Sequence, residues 1–194
     1  MPHNAFRKQA SALENEFFQE VEEELMIELY QRSATDGAAD TVANVTGIAD
    51  KNVLDELQSV QITPKTLMAF SLFPAIHVAW ADGNVESSEK AALLKSAEQL
   101  GLVSTSPAFR LLQSWLCRKP AEELFHAWTK FVHAARPVLS DAAFQELRSA
   151  ATKRARGIAE AAGGLLGFHK VSKAEEAAIA EMEAVFAHAL PPVY

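Results

Sequence analysis

Cysteine is all but missing from this 194-residue chain: Cys117 stands alone. A single thiol excludes an intrachain disulfide and a cysteine-based zinc site. No histidine or glycine-rich turn flanks Cys117 to activate it, so it reads as a small buried hydrophobe rather than a nucleophile. Glycine and proline number only eight each, and runs rich in Val, Ile and Thr are scarce. With turn formers and strand formers both in short supply, the composition points to an all-α chain. No apolar run reaches the roughly 20 residues that a membrane-crossing helix needs. The longest, 66–81, is interrupted by Ser71, Pro74 and His77. The first residues lack the apolar centre of a signal peptide. The expectation is a cytoplasmic protein with no integral membrane segment.

Charge of one sign is also short, but only locally. Residues 1–60 carry 12 acidic and four basic side chains, a balance of −8, whereas the remainder balances at +1. An acidic surface cannot displace counterions from phosphates, which argues against nucleic-acid binding. It leaves room for a basic protein partner or for self-association, beside the simpler reading of a solvated helix face. Arg148, Lys153, Arg154 and Arg156 form a modest basic cluster. It could face phosphate or the chain's own acidic N-terminal helix.

What is present is helical periodicity. Phe18, Val21, Leu25 and Leu29 make an apolar stripe on a helix from about Ala5 to Gln31. Residues 33–46 are polar and read as a loop. Asp50 caps a helix through Leu57, with Val53, Leu54 and Leu57 inside. Thr63-Pro64 starts a helix that runs to Asp82-Gly83, with Pro74 as a kink. Further helices run from Ser87 to Leu100, Ser106 to Cys117, Pro120 to Arg136, Ser140 to Ala162 and Ser172 to Leu190. Trp80, Trp115 and Trp128 are expected in the core. The expectation is an all-α, compact bundle of about eight helices, with an acidic helical extension over residues 1–60 and the main helical domain over 61–194.

Two segments repeat. Val78-Ala-Trp-Ala-Asp82-Gly83 parallels Ile158-Ala-Glu-Ala-Ala162-Gly163. Val85-Glu-Ser-Ser-Glu89-Lys-Ala91 then parallels Val171-Ser-Lys-Ala-Glu175-Glu-Ala177, after six extra residues in the second copy. An internal pseudo-twofold repeat follows. With Gly83 at the sixth position of a calcium loop, Asp82 falls at the fifth and Glu89 at the closing twelfth. Val78 and Trp80 fall at positions one and three and offer no side-chain oxygen. Asp82, Glu86 and Glu89 are therefore the candidate metal ligands for a divalent cation, calcium or magnesium, with water or another segment completing the shell. The competing reading is structural: Ser172-x-x-Glu175 is a capping box, and Glu89 occupies the matching place. In the second copy Ala162 stands where Asp82 does, and His169 is a substitute ligand or a surface histidine.

No Ser-His-Asp motif, phosphate-binding glycine loop or nucleotide fingerprint is readable, so no catalytic residue is assigned. One alternative is a metal-dependent enzyme. Glu123-x-x-His126 has the spacing used in di-iron bundles, and His133 lies two turns further on the same helix. Such a site needs more carboxylates from other segments. His77, on the helix entering the Asp82 loop, titrates near neutrality unless it is packed and hydrogen-bonded. A second alternative is a purely structural adaptor.

Ala79-Trp-Ala-Asp82-Gly83-Asn-Val85-Glu-Ser-Ser-Glu89-Lys90 resembles the TerB-like (tellurite-resistance TerB) family. Arg154-Ala-Arg-Gly-Ile-Ala-Glu-Ala-Ala-Gly-Gly164 and Lys170-Val-Ser-Lys-Ala-Glu175 resemble its second half. The resemblance spans about Thr63 to Leu190. It implies an all-helical bundle with pseudo-twofold symmetry. It also implies metal binding through the acidic loop residues, here Asp82, Glu86 and Glu89, and a bacterial stress-response role beside partner proteins at the membrane periphery. It does not imply tellurite resistance itself, since members differ in role.

Overall fold

The computed structural model describes residues 41–162 and 171–189, and among these every regular element is a helix. In chain order they are α1 (Val42–Thr46), α2 (Lys51–Ser59), α3 (Leu67–Ser71), α4 (Phe73–Ala79), α5 (Ser87–Gln99), α6 (Pro107–Cys117), α7 (Glu122–Ala135), α8 (Asp141–Ala162) and α9 (Lys173–His188). The expected helix over residues 5–31 lies outside the described residues.

Most helix starts follow their capping chemistry. Asp50 Oδ1 accepts the Asn52 N–H at 2.9 Å, and Ser106 Oγ accepts the Phe109 N–H at 3.2 Å with Pro107 in the first turn. Two starts depart from the sequence reading. Residues 42–46, expected as loop, form α1: Thr41 Oγ1 accepts the Asn44 N–H, and Gly47 closes the helix at φ +74°. That left-handed conformation suits glycine, and a Cβ there would also lie 2.9 Å from Val138 Cγ1.

The single helix expected from Pro64 is instead two, α3 and α4, meeting at Leu72. Pro74 has no N–H to give to a carbonyl one turn back, so it begins a helix rather than merely kinking one. The Ala75 N–H turns to Leu72 O at 3.1 Å. Ser71 O accepts instead from Arg154 Nη1 of α8, at 3.2 Å. Part of the basic cluster is thus used inside the fold. Arg156 is used similarly, reaching Glu176 and Glu183 of α9.

α4 sits at the centre. Every residue from Phe73 to Ala79 is buried except His77, which is half-buried. A short helix apolar on all sides must be surrounded, and α8 and α9 pack along it. α8 presents Ala151, Ala155 and Ala159, small enough for close approach, beside the buried Ile158, and also receives α5. α2 packs on α7 and brings Val53 and Leu57 to the same core, reinforced by a Lys130–Glu56 ion pair. Aromatic rings link the layers: Phe186 of α9 lies edge-on to Trp128 of α7 (5.5 Å between centroids) and to Phe144 of α8 (5.7 Å). Among the described residues no helix is long and apolar enough to cross a membrane.

Two single residues differ from expectation. Cys117 is exposed, because it closes the last turn of α6 beyond Trp115 and Leu116, which take the buried positions. Trp115 and Trp128 are in the core, but Trp80 is only half-buried. Its indole N–H needs an acceptor and finds the Trp115 carbonyl at 2.8 Å.

Candidate functional site

The Asp82 loop is built by three local devices. α4 ends at Trp80, whose carbonyl accepts the Gly83 N–H at 3.0 Å. Gly83 adopts φ +93°, and Asp82 Oδ1 accepts the Asn84 N–H at 3.1 Å, a side-chain-closed turn. Val85 then buries its side chain and anchors the chain as it enters α5. Gly83→Ala should destabilise the fold by about 1–2 kcal/mol through backbone strain. Nothing lies within 4 Å of the added Cβ, so no clash contributes. Thermal denaturation reads this directly, and an unchanged melting temperature would mean the loop relaxes.

Glu86 is the N-cap of α5 and Glu89 its third residue, together a capping box. Glu89 Oε2 accepts the Glu86 N–H at 2.7 Å. The second copy repeats the chemistry. Glu175 Oε2 accepts the Ser172 N–H at 2.6 Å, and Ser172 Oγ accepts the Glu175 N–H at 3.1 Å. Among the described residues these two glutamates are the buried charged side chains, at 2% and 5% exposure. Their helices lie far apart in sequence, yet the charge of Glu175 reaches Glu89. Burial raises the Glu89 carboxyl to about 7. The Glu86 N–H opposes the rise, while the like charges of Glu175, Asp82 and Glu86 add to it.

The three candidate ligands therefore occupy different environments. Asp82 and Glu86 are exposed, whereas Glu89 is buried, committed to its cap and close to half-protonated at neutral pH. Among the described residues no group of three His, Cys, Asp or Glu side chains is arranged to hold a metal ion. The same holds for Glu123, His126 and His133. All three are exposed, and His133 Nε2 donates to Val185 O at 3.1 Å. His169 lies outside the described residues.

His77 is packed and hydrogen-bonded. Its ring stacks on Phe125, with centroids 4.4 Å apart and planes 21° from parallel, and Nε2 donates to Glu181 Oε2 at 3.2 Å. Burial pulls its pKa below the ordinary 6.5, Glu181 opposes this, and Lys119 adds to the lowering. Nothing in the sequence marks Phe125 or Glu181, because 104 positions separate His77 from Glu181.

No family model, no curated protein and no solved structure matches this chain.

Proposed function

We propose that this chain is a non-enzymatic interaction module of the TerB-like type, with two helix-start loops related by a pseudo-twofold repeat. The observation that carries the reading is the pair of capping boxes closed by Glu89 and Glu175. Each glutamate follows a Val after a short connection, as the repeat requires, and both carboxylates are spent on structure rather than offered to a substrate. That Glu123, His126 and His133 form no metal-holding group among the described residues, with His133 bonded to Val185 O, agrees with the same reading. The sequence of residues 1–60 carries a charge balance of −8, which favours a basic protein partner or self-association.

The test is association of the intact chain. Self-association is read by light scattering, and partners captured in cells are purified and titrated back. Reversing Glu20, Glu23 and Glu24 to Lys should weaken the reconstituted complex at least tenfold at low salt. Turnover of any substrate by the purified chain would overturn the proposal.

A divalent cation at the Asp82 loop is a separate arm of the proposal. Asp82 and Glu86 would be its exposed carboxylates, with water supplying the remaining oxygens. Calcium or magnesium at 100 times the dissociation constant should raise stability by about 2.7 kcal/mol. Asp82→Ala should remove that gain. A thermal shift indifferent to both ions, or unchanged in the variant, would refute this arm alone.

A further inference from the structure

A cleft of about 260 Å³ opens between α4, the connection from α6 to α7, α7 itself and α9. Phe73, Trp80 and Phe125 line it, with His77 stacked against Phe125. Its polar groups are Glu122, Glu181, Lys119 and His126. Two carboxylates thus face one ammonium, and His77, held neutral at pH 7 by burial, leaves the Glu181 charge uncompensated. Aromatic faces carry negative potential and attract cations. Lys119 is exposed on a flexible stem and can turn to water. The volume holds roughly eight or nine water molecules, comparable with a guanidinium group and its alkyl stem.

We propose that this cleft is a binding site for an alkyl cation, a guanidinium or ammonium group. Its charge meets Glu181 and Glu122, and its stem lies along Phe73, Trp80 and Phe125. Trp80 also ends the helix that leads into the Asp82 loop, but none of Asp82, Glu86 and Glu89 lines the cleft, and the site does not rest on the interaction-module reading. The cation comes from a free small amine or from a side chain of a protein, and both offer the same chemistry. Binding weakens on acidification. His77 gains a charge as the pH falls and then repels the bound cation.

The experiment is calorimetric titration of the full chain at pH 7.5 with agmatine, with N-acetyl-arginine amide and with benzoate, and with N-acetyl-citrulline amide as the neutral isostere. Saturable binding of agmatine is expected, with a shift of the His77 ring resonances in NMR spectra. Glu181→Gln should weaken it at least tenfold, Lys119→Ala should tighten it, and Glu123→Gln, on the exposed side of the same helix as Glu122, should leave it unchanged. These are surface positions, and unchanged thermal melts establish that the variants fold. Agmatine binding alone assigns a free amine; equal binding of N-acetyl-arginine amide assigns a protein side chain; either supports the site. The proposal is overturned if no cation saturates, if citrulline binds as well as arginine, if benzoate binds instead, or if Glu181→Gln changes nothing.

Discussion

Glu89→Gln should stabilise the folded chain at pH 8 by on the order of 3 kcal/mol and leave it nearly unchanged at pH 4. The effect follows from a carboxyl raised from 4.5 to about 7 by burial and by the like charges of Glu175, Asp82 and Glu86. Between those two values the folded chain keeps a proton that the unfolded chain has released. Unfolding free energy therefore falls as pH rises through the window of roughly 4.5 to 7 and levels off above it. Each unit is worth about 1.4 kcal/mol. Gln remains neutral at every pH and can still accept the Glu86 N–H, so it keeps the cap and removes the charge. The measurement is urea denaturation of both proteins across pH 4–8. His77, with its lowered pKa, adds the opposite slope below 6.5 in each, and it cancels in the difference. A difference that is flat with pH, or a variant weaker at pH 8, would refute the buried-charge account of this loop.

Phe186→Ala should cost about 3–5 kcal/mol. The ring is 4% exposed and stands edge-on between Trp128 and Phe144, so truncation opens a cavity where α7, α8 and α9 meet. The edge-on geometry adds about 0.5–1.5 kcal/mol per aromatic pair beyond burial. The urea midpoint should fall with an unchanged slope, since the same surface is exposed on unfolding. A loss under 1 kcal/mol would mean the three helices close over the gap.

Helix starts were legible wherever a side chain closes locally on the backbone: Asp50 with Asn52, Ser106 with Phe109, Ser172 with Glu175. The all-α class followed from the scarcity of turn and strand formers. The Leu72 break was not legible as a break, because it depends on who takes the Ser71 carbonyl once the Ala75 N–H turns to Leu72. Here that is Arg154, 83 positions away. Cys117 was misplaced because its neighbours Trp115 and Leu116 are apolar, and only the end of α6 decides which of them faces water. The Asp82 loop was recognised from its residue types. That Glu89 and Glu175 share one neighbourhood was not, since spacing within each copy says nothing about distance between copies. The cleft was missed for the same reason: Trp80 read as ordinary core, and nothing local in the sequence joins it to Phe125 or Glu181.

The hydrogen bond from Arg154 to Ser71 has a further consequence, for the order of assembly. The elbow between α3 and α4 is latched by a residue from the far half of the chain. A nascent chain that has reached only the end of α5 possesses both arms of the joint but not its latch. The angle at Leu72 is then set late, once α8 docks and the long intervening loop has been closed. The central helix of the bundle would thus be made well before the residue that fixes its angle.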